Sequence, residues 1–201
     1  RSQSRECERY SVIKKTLVQL SEMIEAFSSS ELNEILSSFS CPQNSDVEDF
    51  LVNPNKAIRF ELTENSRTYI ILDDETSNLL GYFSLTFKEI VLENKKISKT
   101  EIKNLDGISK NANRIKAFLI GQIGKNKGIN NNYLNLKLIL DDVYTVISKV
   151  QSLIGGRVIF LECENIPGLI RLYENHGFKL LETEDPDCAK LKTMYINIAQ
   201  K

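Results

Sequence analysis

The sequence predicts an α/β fold, and three observations point to it. Two β-rich runs, 68–72 and 79–87, flank Asp73-Asp74-Glu75-Thr76-Ser77-Asn78, a turn-forming stretch, and so read as an antiparallel hairpin. Residues 114–178 read strand (114–124), Gly- and Asn-containing loop (125–132), long helix (133–153), strand (157–162), helix (167–175), then His176-Gly177-Phe178. In the long helix Leu136, Ile139, Leu140, Val143, Ile147, Val150 and Ile154 step by three or four, which is a core-facing stripe. A chain of 201 residues can bury one sizeable core. No repeat, low-complexity tract or linker divides it, so a single domain over 1–201 is expected.

In chain order, residues 1–10 are polar and expected to be loosely held. Val12, Ile13, Leu17, Val18, Leu20 and Met23 fit both strand and helix, and a strand over 16–20 is favoured. Ser28-Ser29-Ser30-Glu31 is a helix entry with a serine cap. Leu32, Ile35, Leu36 and Phe39 then share one helical face, giving a helix over 30–39 that Pro42 cannot continue. Ser45-Asp46-Val47-Glu48 has capping-box spacing, and Val47, Phe50 and Leu51 form the apolar side of a short helix. Asn53-Pro54-Asn55 interrupts it, and Ala57, Ile58, Phe60 and Glu61 give a further turn or two. Tyr82-Phe83-Ser84-Leu85-Thr86-Phe87 carries apolar groups on both faces, as does a strand covered on both sides. Residues 93–113 are polar and without a strong period, a long connection in which Ile97, Ile102, Leu105 and Ile108 allow a short helix. A strand over 115–123 precedes the long helix, which Gly155-Gly156 ends. Val158-Ile159-Phe160-Leu161 is a buried-type strand. Strands over 178–181 and 191–198 close the chain around a polar loop, 182–190, that holds Pro186.

Composition excludes several classes. A net charge of −1 is not that of a chain basic throughout. The charge is uneven, since residues 88–128 hold ten Lys or Arg against four Asp or Glu. That stretch reads either as a solvated face or as a surface for phosphate or RNA. Cys7, Cys41, Cys163 and Cys188 form no C-x-x-C pair and the chain has one histidine, so no metal site is expected. Free thiols in a reducing cytoplasm are the simpler account of the cysteines. No signal peptide and no apolar run near the length of a membrane span are found, so a cytoplasmic protein is expected.

A polar, Gly-containing loop between a strand and a helix suits a ligand bearing phosphates, because its N–H groups and the helix N-terminus attract anions. With Leu172-Tyr173 and Gly177-Phe178 at the end of the second helix, the run resembles the acetyl-CoA-binding half of the GNAT (GCN5-related) N-acetyltransferase superfamily. The resemblance covers roughly residues 46–198. The hairpin at 68–87 matches the strands leading into the family's cofactor half, and Leu119-Ile120-Gly121-Gln122-Ile123-Gly124-Lys125 falls at its splayed central strand. Asp46-Val47-Glu48-Asp49-Phe50-Leu51 and Ser66-Arg67-Thr68-Tyr69 look like the GNAT-type toxins of bacterial toxin–antitoxin pairs.

The resemblance implies a mixed, mainly antiparallel sheet with helices on both faces, splayed between the strands at Ile120 and Ile159. It implies acetyl-CoA as co-substrate, no metal, and direct transfer of acetyl to an amine. The pantetheine arm falls to the backbone of Gln122, Ile123, Gly124 and Lys125. The pyrophosphate falls to Asn130, Asn131, Asn132, Tyr133, Leu134 and Asn135, where the family has a glycine-rich turn and this chain has no glycine. Tyr173 matches the tyrosine that protonates the leaving thiolate. Glu162, with Glu164 near it, is the candidate base. Cys163 reads as core, His176 as a helix cap, and Lys125 and Lys127 as phosphate-facing or solvated lysines. Three functions follow: an acetyltransferase for a small-molecule or protein amine, a toxin acetylating aminoacyl-tRNA, and a degenerate, non-catalytic CoA-binding or interaction module. Partners implied are an amine-bearing acceptor, with tRNA among the options, and a second copy of the chain as a homodimer.

Overall fold

The computed structural model describes residues 14–184 and 190–199. The expectations for residues 1–10, Val12, Ile13, Cys7, Cys188 and Pro186 lie outside the described residues. Seven strands and seven helices follow in the order β1 (Lys15–Gln19), α1 (Leu20–Ala26), α2 (Ser29–Ser37), α3 (Ser45–Val52), α4 (Ala57–Leu62), β2 (Arg67–Asp73), β3 (Leu79–Val91), α5 (Lys99–Asp106), β4 (Arg114–Lys125), α6 (Leu136–Ile154), β5 (Val158–Glu164), α7 (Pro167–Glu174), β6 (Lys179–Leu181) and β7 (Leu191–Asn197). One sheet carries them in the order β1-β2-β3-β4-β5-β7-β6. Every pairing is antiparallel except that of β4 with β5.

Strand alternation divides the core between two sides of this sheet. On one side, α6 and α7 cover Ile71, Phe83, Leu85, Phe118, Ile120, Ile159, Leu161 and Met194. On the other, α1–α4 cover Ile70, Leu79 and Tyr82, while α5 covers Ile90, Ile115, Ala117, Phe160 and Tyr195. The mixed sheet with helices on both faces is therefore as the sequence and its resemblance imply. A largely buried ion pair of Lys15 with Asp142 ties β1 to α6 on the α6 side of the sheet.

Several elements depart from the sequence expectations for local reasons. Helix α6 begins at Leu136 rather than at 133, because Asn135 turns extended and its Oδ1 accepts the Leu138 N–H at 3.0 Å. Leu134, fully buried, ends the loop as a core plug, and Tyr133 lies exposed beside it. Helix α1 follows β1 without a break and turns Leu20 and Met23, three apart, into the core. In the 93–113 stretch, Ser98 Oγ accepts the Glu101 N–H and left-handed Gly107 ends the helix, so α5 is a full two turns. Helix α2 starts at Ser29 because Ser28 and Glu31 satisfy each other's backbone N–H groups in a complete capping box.

Candidate active site

The opening in the sheet comes from the unequal pairing of β4. Against β3 it is paired from Arg114 to Lys125, whereas against β5 only Phe118, Leu119 and Ile120 are paired, with Ile159, Phe160 and Leu161. At the point of divergence β4 carries a bulge: Ser84 faces Gln122 and Leu85 faces Ile120, so Gly121 has no partner on β3. Beyond Ile120, the edge of β4 that includes Gln122, Ile123, Gly124 and Lys125 has no strand partner on its β5 side among the described residues. Such an edge offers N–H and C=O groups to an extended, amide-bearing chain.

The loop after β4 is built on asparagines. Asn126 is buried, and its amide nitrogen donates to Ser38 O at 3.0 Å and Leu79 O at 2.8 Å. Its Oδ1 accepts the N–H groups of Ser40 and Gly128. Asn132 Nδ2 donates to Leu80 O and Asn126 O, while its Oδ1 accepts the Leu134 N–H. Asn131 takes the left-handed backbone (φ 57°) that glycine would otherwise supply. Asn130, Asn131 and Asn135 are exposed, and the Tyr133 hydroxyl donates to Lys14 O at 3.0 Å. Of the predicted pyrophosphate residues, then, Asn132 and Leu134 hold the loop together, and Asn130 and Asn131 face solvent.

Anion-attracting groups gather at this end. Asn135 takes one N–H of the first turn of α6 and leaves those of Leu136 and Lys137 without a partner among the described residues. Lys125 Nζ donates to Asn132 O at 2.7 Å. Burial, and secondly the charge of Lys127, lowers the Lys125 ammonium below its ordinary pKa. An anion between these lysines would relieve that repulsion. Gly124 has a different task. A Cβ there would stand 2.6 Å from Val47 Cγ1 and 2.9 Å from Phe39 Cζ, so this glycine lets α3 and Phe39, just after α2, pack onto β4.

Tyr173 is buried on α7, on the α6 side of the sheet. Gly177 (φ 88°) reverses the chain after the helix and returns Phe178 edge-on to the Tyr173 ring, at a centroid distance of 5.9 Å. That is the physical content of the Tyr-x-x-x-Gly-Phe spacing. Burial, with a smaller contribution from Cys163, pushes the Tyr173 phenol up to about 12. It therefore keeps its proton at neutral pH, and none of the described residues engages its hydroxyl.

Glu162 and Glu164 are exposed, whereas Cys163 between them is buried in the α6-side core. By alternation both carboxylates lie on the side of β5 opposite to Tyr173. The structure thus puts the acid and base candidates on the two faces of the opening. Burial raises the Cys163 thiol, as suits a core residue. His176 Nδ1 lies 2.8 Å from Leu172 O and caps α7. A groove of about 470 Å³ between α6 and β7, lined by Tyr144, Gln151, His176 and Ile198, lies toward the C-terminal half of α6, away from this opening. Among the described residues no three His, Cys, Asp or Glu side chains converge as metal ligands, and no helix is long and apolar enough to cross a membrane.

No protein-family profile matches the sequence, and no curated protein matches it by sequence. Solved structures do match the fold. AtaT complexed with acetyl-methionyl-tRNAfMet superposes with a TM-score of 0.67 at 16% identity, covering 92% of this chain and 95% of that one. A tyrosine-to-phenylalanine mutant of KacT gives the same values. AtaTR bound with AcCoA gives 0.60 at 15% identity, over 92% and 93%. These neighbours are GNAT-family toxin acetyltransferases. The chain has the GNAT fold. The Tyr-x-x-x-Gly-Phe spacing read in the sequence has a steric basis in the structure. Sequence reasoning missed the roles of Asn126 and Asn132, whose only signal was a high local asparagine content.

Proposed function

We propose that this protein transfers acetyl from acetyl-CoA to an amine. The observation that carries the reading is the free edge of β4 from Gln122 to Lys125, flanked by the lysine-bearing entry to α6 and by protonated Tyr173. The backbone of Gln122, Ile123, Gly124 and Lys125 would hold the pantetheine amides. Lys125, Lys127 and the N–H groups of Leu136 and Lys137 would hold the pyrophosphate, with side-chain charge replacing the family's glycine turn. The thioester supplies the activated acetyl group. Tyr173 would give its proton to the departing thiolate. Because α6 and α7 cover one side of the sheet, the amine would arrive from the other, where Glu162 is exposed.

The identity of the amine has two candidates. One is a small-molecule or protein amine. The other is the amino group of an aminoacyl-tRNA, a reading favoured by the AtaT neighbour, whose structure contains acetyl-methionyl-tRNAfMet. Exposed Lys99 and Lys103 on α5 and Lys88 on β3 lie on the acceptor side, while Arg114 and Lys116 alternate to the opposite one. A subset of the basic stretch is thus available to an RNA entering from that side. Antitoxin binding, shown by the AtaT–AtaR neighbour, is the corresponding expectation for a protein partner.

Calorimetric titration with acetyl-CoA tests the common step. A binder is stabilised by mass action by about 2.7 kcal/mol at a hundred times its Kd, so heat and a thermal shift are both expected. No response at millimolar acetyl-CoA would leave the chain as a non-catalytic module. Transfer of labelled acetyl to charged tRNA, weakened steeply by added salt, separates the two acceptors.

A further inference from the structure

Between the helices α1–α4 and the sheet lies a row of polar side chains where apolar packing is the norm. Ser66, Thr68 and Ser84 are 9%, 0% and 2% exposed. Ser66 Oγ and Thr68 Oγ1 are enclosed and have no hydrogen-bond partner in the protein. Buried hydroxyls in native proteins find a partner in protein or ordered water, and two such oxygens two residues apart, one just before β2 and one on it, define a place for water.

The row has direction. Thr68 stands opposite Ser84 on the neighbouring strand, and Ser84 stands opposite Gln122. A Cβ built on Gly121 would lie 3.0 Å from Ser84 Oγ, so the outer end of the row meets the bulge where β4 leaves β5. At the inner end is Glu61, a carboxylate only 2% exposed. Its Oε2 accepts the Thr68 N–H at 2.8 Å, and its Oε1 accepts from Gln19 Nε2 at 3.0 Å and from Arg67 Nη1 at 3.4 Å. Two strand spacings, roughly 10 Å, separate Thr68 from Gln122, a span that two hydroxyls and intervening water can bridge.

We propose that ordered water joins Ser66, Thr68 and Ser84 into a relay that carries the proton lost by the acceptor amine to Glu61; the proposal rests on the acetyl-transfer reading above. As the amine nitrogen bonds to the acetyl carbon, the carbon–sulfur bond breaks. The surplus proton on nitrogen passes along the row, each oxygen taking one proton and releasing another, and ends on Glu61 as a neutral carboxylic acid. The departing thiolate takes the Tyr173 proton. Glu61 then loses a proton to solvent and Tyr173 regains one, so the cycle closes. Thr68 and Ser84 pass the proton on in this scheme, and the exposed Glu162 is not required.

A merely structural Glu61 would plug the edge of β2 beyond Gln19, where β1 ends. Glu61→Gln keeps that shape and an acceptor for the Thr68 N–H but cannot take up the proton. It is expected to lower kcat about a hundredfold, with KM for acetyl-CoA unchanged. Thr68→Val should show the same loss of kcat, and Thr68→Ser should restore it. A high-resolution crystal structure of the wild type should show water bonded to Ser66 Oγ and Thr68 Oγ1, a readout independent of turnover. No water at these atoms, or a Glu61→Gln enzyme with wild-type kcat and only a lower Tm, overturns the relay and leaves the acetyl-transfer reading standing. A wild type that binds acetyl-CoA but acetylates neither small amines nor charged tRNA overturns both.

Discussion

The two halves of β4 are made of similar residues and do opposite things. Up to Ile120 alternate residues of the strand feed two cores, Ile115 and Ala117 under α5, Phe118 and Ile120 under α6, and from Phe118 to Ile120 the strand is paired on both sides. From Gly121 to Lys125 it is held by β3 alone. The first half is an ordinary central strand. The second is an edge strand placed in the middle of a sheet, with a glycine at the point of change. An internal edge is normally a liability. Under the proposed acetyl transfer, this open half is the one that would take the ligand.

Substitutions can break this comparison at graded cost. The largest effect is expected at the open half: Tyr173→Phe should lower kcat about 10²- to 10⁴-fold with acetyl-CoA affinity nearly intact, because ring and packing survive and only the proton donor is lost. Equal kcat at saturating acetyl-CoA would remove Tyr173 from the reaction. Since burial pushes this phenol to about 12, its ionisation should leave kcat undiminished between pH 7 and pH 10. Next is Gly124→Val, which drives a side chain into Val47 and Phe39; overpacking of this kind costs about 1–3 kcal/mol, readable as a lower Tm in thermal melts. A third test sharpens the anion grip. Lys125→Ala with Lys127→Ala should weaken acetyl-CoA about tenfold, or roughly 1.4 kcal/mol, by titration, with little change in Tm. The smallest is Asn135→Ala, which removes the α6 cap and should cost about 1 kcal/mol of stability by denaturant titration.

Legibility in the sequence follows the same division. The α6 stripe, the hairpin and the Tyr173–Phe178 spacing were readable because each rests on local periodicity or on one backbone requirement, such as left-handed Gly177. The strand pairing that opens the site was readable only through family resemblance, since nothing local to Ile120 or Gly121 states that β5 will turn away. The α6 boundary was misplaced by three residues because Tyr133 and Leu134 continue the helical apolar pattern, and only Asn135 reveals the cap. Helix α1 was hidden because Leu20 serves both the strand pattern before it and the helix after it. The burial of Glu61 gives no sequence signal, because it depends on Arg67 and Gln19, which bond to it from other elements.

Asn126 has a consequence for how the molecule breathes. Its one amide oxygen holds both the Ser40 N–H, 86 residues earlier in the chain, and the Gly128 N–H, two residues later. Neither amide can exchange with heavy water until that oxygen lets go, so the two should share one opening rate. Deuterium uptake at Ser40, behind the N-terminal helices, is therefore a clock for the loosening of the loop that leads into α6.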